Sequence, residues 1–144
     1  MVVFHMVSPS NEKTKAEFVE MDLVSLLLES IIESKKSYCE RALGVIDKLC
    51  ETKQGRESAC NNALAMPVMV KKILRVSKLT TEYSVSAIWK LSKYEEKVLM
   101  EALQVGAFKK LLLLVQVGCG DETDEKATEL FEINESIHTW SGVY

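Results

Sequence analysis

Apolar residues recur at intervals of three and four along most of this chain, the spacing that lines one side of an α-helix and leaves the others wet. Over residues 40–51, Leu43, Ile46, Leu49 and Cys50 form such a stripe, while Glu40, Arg41, Asp47, Lys48 and Glu51 fill the remaining faces. Residues 82–93 repeat the device with Val85, Ile88, Trp89 and Ser92. Strand-like alternation is nowhere sustained. The pattern predicts helices over 17–34, 38–52, 54–63, 67–77, 81–93, 95–104, 106–117 and 123–133. Between them lie turns at Thr52-Lys53-Gln54-Gly55, before Pro67, and at Gly118-Cys119-Gly120, which is expected to stop a helix rather than cradle a phosphate. Pro67 suits a first helical position, where its missing N–H costs nothing, and Thr80 or Thr81 is expected to cap the helix that follows. The acids of Asp121-Glu122-Thr123-Asp124-Glu125 fall where a helix N-terminus favours negative charge, and they lack the spacing of a calcium loop.

The pattern repeats at long range. Ile46, Ile88 and Leu130 are spaced by 42 residues, as are Leu49, Leu91 and Ile133. Val70-Lys71-Lys72-Ile73-Leu74 matches Phe108-Lys109-Lys110-Leu111-Leu112 at an offset of 38, the difference falling in the loop before residue 125. A period near 42 with two or three helices per unit is the range of armadillo and HEAT solenoids. The fold expected is all-α, an armadillo-like right-handed superhelical solenoid of about two and a half to three repeats. Residues 1–12 are read as a frayed N-terminal segment, 13–133 as the repeat domain and 134–144 as a divergent C-terminal tail.

Composition agrees with a packed helical domain: 47% of the 144 residues are hydrophobic and 27% charged, with only 6 Gly and 2 Pro. A formal charge of −3 argues against nucleic acid, and no apolar run is long enough to span a membrane. Without a signal-peptide pattern, the cytoplasm is the expected location, with the nucleus as second choice. Cys39, Cys50, Cys60 and Cys119 show no C-x-x-C spacing and are expected to be reduced thiols. His5 and His138 stand near opposite ends without acids or thiols at ligand or triad spacing, so no catalytic residue, metal ligand or cofactor is assigned. Lys71-Lys72 and Lys109-Lys110, recurring at one place in successive units, suggest a basic edge on the second helices.

The strings Arg41-Ala42-Leu43-Gly44-Val45-Ile46-Asp47, Gln54-Gly55-Arg56-Glu57 and residues 67–77 carry a family likeness. It continues through Ser84-Val85-Ser86-Ala87-Ile88-Trp89-Lys90-Leu91, residues 101–108 and Lys126-Ala127-Thr128-Glu129-Leu130. Over residues 11–133 the chain resembles the carboxy-terminal armadillo repeats of plant U-box ubiquitin ligases, in the branch of the pathogen-response and immunity-related members. The resemblance implies protein ubiquitination in stress and defence signalling, with the repeats selecting substrates or regulators. The small U-box fold that recruits a ubiquitin-conjugating enzyme has no residues here to build it, so this chain alone is expected to be non-catalytic. The tail from Glu132 to Trp140 departs from the family's leucine-rich sequence, as in a truncated or alternatively terminated relative. The alternatives are a ubiquitin ligase whose catalytic part lies outside this stretch and a helical scaffold unrelated to ubiquitin.

Armadillo proteins bind partners on the concave face built from the third helix of each unit. Importin-like members line it with Trp and Asn four residues apart. The matching pairs here are Gly44 with Lys48, Ser86 with Lys90, and Thr128 with Glu132, so that ladder is absent. Basic cargo needs acids and amides, whereas Lys48, Lys90 and Lys93 offer ammonium donors. The expected partner surface is therefore Lys48, Ser86, Lys90, Lys93, Thr128 and Glu132, facing an acidic or phosphorylated protein. Trp89 reads either as packing in the core or between repeats, or as an exposed anchor. Apolar residues near both ends, Val2, Val3, Phe4 and Met6, then Phe131, Ile133 and Trp140, raise self-association as a further expectation.

Overall fold

The computed structural model describes the backbone of residues 23–141 and the side chains of residues 23–135. The frayed segment expected at 1–12, both histidines, Trp140 and the first part of the helix expected at 17–34 lie outside these side chains. Eight helices are described: α1 (Leu23–Ser30), α2 (Lys36–Leu49), α3 (Lys53–Cys60), α4 (Ala65–Lys72), α5 (Lys78–Tyr94), α6 (Glu96–Gln104), α7 (Ala107–Val117) and α8 (Asp121–Ser141). No strand occurs among the described residues. The chain is an all-α armadillo-type solenoid: α3, α4 and α5 form one unit, α6, α7 and α8 the next, and α1 with α2 the end of an earlier one.

The long third helices α2, α5 and α8 lie side by side, with α5 packed on both neighbours. Ile46, Ile88 and Leu130 occupy equivalent places on them, each buried to within 1% of complete. One continuous core runs under all three units, because each unit's apolar stripe is too broad to be covered by its own helices alone.

Helix ends differ from the sequence reading by a few residues at most termini, and the differences at α4, α5 and α8 have clear causes. Helix α4 begins at Ala65, so Pro67 sits third rather than first, still within the turn whose N–H groups have no helical acceptor. It stops at Lys72 rather than 77, because Leu74 turns into the left-handed region at φ 58° and donates its N–H to Thr81 Oγ1 at 2.8 Å. Ser77, and not a threonine, caps α5. Its hydroxyl accepts from Thr80 N at 3.1 Å while the Ser77 N–H donates to Thr80 Oγ1 at 3.1 Å, a reciprocal capping box. Helix α8 runs on to Ser141, beyond the end expected at 133, since nothing between Asn134 and Ser141 is a glycine or proline that would stop it.

Of the paired lysines on the second helices, Lys71 and Lys109 are exposed along the expected basic edge, whereas Lys72 and Lys110 are drawn inward. Lys72 is only 6% exposed and donates from Nζ to the Ile32 carbonyl at 3.4 Å. Lys110, 38 residues on, donates to the Val70 and Lys71 carbonyls at 2.8 and 2.9 Å. Val70 itself lies 38 residues beyond Ile32, so the two contacts are the same device in successive units. Each second lysine reaches back one repeat and satisfies carbonyls at a helix C-terminus, where positive charge is favoured. Burial, then Arg75 and Lys71, pulls the Lys110 pKa below its usual value. Replacing Lys110 with methionine keeps the aliphatic stem and removes the donors. We expect a loss of about 1–2 kcal/mol in urea unfolding, against less than about 0.5 kcal/mol for exposed Lys71→Met. Equal effects would contradict the assignment.

Candidate functional site

The face where α2, α5 and α8 lie alongside one another carries the residues singled out from sequence, and it brings them together unevenly. Lys90 sits at the boundary between α5 and α2. Its ammonium lies 3.0 Å from Asp47 Oδ1, donates to the Asp47 carbonyl at 3.1 Å and lies 3.4 Å from Glu51 Oε2. Lys48 is 3.6 Å from Glu51 Oε2, and Lys93 is 3.6 Å from Glu129 Oε2 across the α5–α8 boundary. Ser86 is buried, and its hydroxyl oxygen accepts from Lys126 Nζ at 3.4 Å. Thr128 is exposed but turns its hydroxyl back onto the Asp124 carbonyl at 2.9 Å, and Glu132 is exposed on the outer turn of α8.

These pairings show what the expected ammonium donors face within the chain. Each of Lys48, Lys90 and Lys93 faces a carboxylate of the same surface: Lys48 pairs locally with Glu51 three residues on, whereas Lys90 and Lys93 meet Asp47 and Glu129 of neighbouring units, 43 and 36 residues away. The sequence shows the lysines but not what stands opposite them.

Trp89 is half-buried between α5 and α8, which favours inter-repeat packing over a freestanding anchor. Its Nε1–H donates to Glu129 Oε2 at 2.5 Å. Lys93 Nζ stands 4.1 Å from the ring centroid and Lys126 Nζ 5.2 Å from it, so two cations flank one indole. Glu129 thus accepts from the indole and pairs with Lys93 at once, holding the edge of the groove in one arrangement.

Above this cluster the groove opens into a cavity of about 390 Å³. Asp47, Glu82, Asp121 and Glu122 line it with Tyr83, and Lys126 is its one cationic side chain. Burial first, then Asp47, Glu82 and Glu40, pushes the Tyr83 phenol above its usual pKa, as a concentration of negative charge requires. A second hollow, of about 510 Å³, runs along the outer side of α8 between Asp121, Asp124, Glu125, Glu129 and Glu132. Acids therefore outnumber lysines along the whole face. Sequence reasoning missed Asp47, Glu82, Tyr83, Lys126 and Glu129 as site residues; the repeat offset of 42 does not lead to them, because the observed cross-unit pairs lie 43 and 36 residues apart.

Among the described residues no group of His, Cys, Asp and Glu side chains could hold a metal ion, and no helix is long and apolar enough to cross a membrane. All four cysteines are unpaired and buried. Burial, followed by the Asp47 charge, pushes the Cys50 thiol far up, and burial followed by Glu95 raises Cys60 to about 11. Cys119 is raised by burial and then by Glu82. Because the thiolate is the nucleophile, an aromatic disulfide reagent at about pH 8 should label none of the four within minutes in the folded chain and all four after unfolding in urea. Fast labelling of Cys50 or Cys60 without denaturant would contradict their placement.

Comparison with known proteins agrees with this architecture. The family model described as the plant U-box protein ARM repeat region matches residues 1–139. Among similar curated proteins of Arabidopsis thaliana, U-box domain-containing protein 21 is 48% identical over 134 residues, covering 92% of this chain and 31% of the relative. U-box domain-containing protein 20 is 41% identical over 143 residues, covering 99% and 33%. E3 ubiquitin-protein ligase PUB22 is 36% identical over 117 residues, covering 80% and 27%. The chain spans about a third of the length of these relatives.

Proposed function

Because this chain belongs to the family of plant U-box protein ARM repeat regions, we propose that it is a protein-recognition module of ubiquitination, holding a substrate or regulator in the α2–α5–α8 groove. The observation that carries this reading is the groove itself: three parallel third helices whose polar side chains are fixed by cross-repeat pairs and whose centre opens into a cavity. A place in stress and defence signalling follows from the sequence resemblance, and the cytoplasm, then the nucleus, is the proposed compartment.

The charge of the groove sets the chemistry of the partner. An acidic or phosphorylated segment would have to approach Asp47, Glu82, Asp121 and Glu122 and compete with Glu51 and Glu129 for the lysines. A segment carrying Lys or Arg meets those same carboxylates favourably. A basic segment is thus the preferred occupant, in place of the acidic one suggested by the lysine spacing alone. Self-association through an exposed solenoid end belongs to the same reading.

Peptide arrays probed with the purified chain test the groove. Basic segments should bind, and binding should fall by about tenfold when Glu82 and Glu129 are both changed to Gln, since two partly exposed ion pairs together contribute about 1.4 kcal/mol. Raising salt should weaken it further. Preferential capture of phosphorylated or acidic segments, or binding indifferent to both substitutions, would overturn the assignment. With activating and conjugating enzymes present, the chain alone should build no ubiquitin chains.

A further inference from the structure

Two hollows of opposite charge meet at the turn of residues 118–120, just before α8. The groove cavity lies on one side, with Gly120 in its wall beside Glu82, Asp121 and Glu122. On the other side a hollow of about 440 Å³ opens over the turn between α4 and α5, and Gly120 lines it too, with Leu74, Arg75 and Lys78. Arg75 and Lys78 are its charged side chains, both cationic and both exposed. Among the described residues no carboxylate stands within ion-pair distance of either. The polar groups beside them are already engaged. Ser77 Oγ donates to Glu40 Oε2 at 2.8 Å, Thr81 Oγ1 donates to the Ser77 carbonyl at 3.0 Å, and Asp124 Oδ1 accepts from the Cys119 N–H at 3.0 Å. Lys78 also stands against its local preference, since it is the first residue of α5, where the helix dipole disfavours a cation. No pairing within the described chain offsets that cost, and a residue placed against local preference points to function. Gly118 and Gly120 have φ of 85° and 118°, and Cys119 is buried, so the turn between the two hollows presents backbone rather than side chains.

We propose that the partner segment is bipartite: its basic part fills the groove cavity, and a few residues away an Asp or Glu beside an apolar residue enters the second hollow and pairs with Arg75 and Lys78. This deepens the groove reading above and rests on it. The carboxylate meets two unpaired cations at the N-terminal end of a 17-residue helix, whose dipole favours an anion. The apolar neighbour covers Leu74, which is 40% exposed at the rim. Lys78 and Glu82 lie one turn of α5 apart, so a segment extended at about 3.3–3.6 Å per residue reaches both with its charges about two to four residues apart. The pair of hollows discriminates. A uniformly basic segment sets a cation against Arg75 and Lys78, and a uniformly acidic one meets Asp47 and Glu82. An acidic contact thus belongs at the turn before α5 rather than on Lys48, Lys90 and Lys93.

Fluorescence anisotropy on the full chain tests it, with labelled peptides in which Arg-Lys and Asp-Leu are joined by Ser-Gly. The peptides are made in both orders, each with a twin carrying Asn in place of Asp. In one order or the other the Asp peptide should bind about fivefold tighter than its twin, as two exposed ion pairs allow. Arg75→Gln combined with Lys78→Gln should erase that difference while leaving the affinity of the Asn twin, the helicity and the melting unchanged, because both side chains already face water. Glu82→Gln combined with Glu129→Gln should weaken both twins alike. Equal affinity of Asp and Asn peptides in both orders, or a difference that survives the loss of both cations, would overturn the second hollow and leave the groove reading intact. Failure of every peptide to bind would remove the groove reading and this inference with it.

Discussion

Gly55→Ala is expected to destabilise this protein by about 3 kcal/mol and to lower its melting temperature by about 10 °C. Gly55 is the third residue of α3, capped by the Thr52 hydroxyl, which accepts the Gly55 N–H at 2.9 Å. A Cβ at this position would lie 1.9 Å from the Leu49 carbonyl oxygen, 2.6 Å from its carbon and 2.9 Å from Thr52 Oγ1. Two of those atoms are backbone at the C-terminal end of α2, so no rotamer change relieves the overlap. Either α3 lifts off α2 or the Thr52 cap breaks, and both open the junction between the first two units. Gly106→Ala makes a useful contrast. Nothing lies within 4 Å of its Cβ position, but its φ of 97° is unfavourable for a side chain, so a cost of about 1 kcal/mol is expected. Thermal unfolding followed by circular dichroism ranks the two. A Gly55→Ala protein melting within about 2 °C of wild type, a shift of well under 1 kcal/mol, would show that the close approach is not there.

The second large effect concerns Ile88, which is fully buried at the middle of α5, the helix that packs on both α2 and α8. Truncation to alanine leaves a cavity walled by two neighbouring units, and the cost should be about 3–4 kcal/mol. Leu130 is equally buried but its helix has a third-helix neighbour on one side only among the described residues. Leu130→Ala is expected to cost about 2 kcal/mol. In a one-dimensional array, stability is a sum of unit and interface contributions. Ile88→Ala weakens two interfaces and should move the whole urea transition, while Leu130→Ala loosens the last unit first and should broaden it. Equal costs with equally sharp transitions would mean the core is shared globally rather than between neighbours.

The groove was legible in outline. The offset between Ile46, Ile88 and Leu130 places three helices in register, and that register puts Lys48, Lys90 and Glu132 on one face. What Lys90 does was not legible, because its partners come from a neighbouring unit. Lys90 reads as a free cation until α2 sets Asp47 at 3.0 Å from it. Lys72 and Lys110 read as a basic edge until the preceding second helix brings the Ile32 and Val70 carbonyls within reach. Trp89 is ambiguous from its stripe, and Glu129 decides it. Gly55 reads as punctuation, yet it lies inside a helix, and what demands glycine there is the Leu49 carbonyl of another helix.

The sequence by itself determined the helices, their repeat and the residues that bury themselves, because helical periodicity and apolar patterning are local properties carried along the chain. Tertiary structure alone decided the electrical character of the groove and the use of the paired lysines. Those depend on which atoms a neighbouring unit places within a few ångströms, and Coulombic and steric terms vary too steeply with distance for spacing in sequence to fix them.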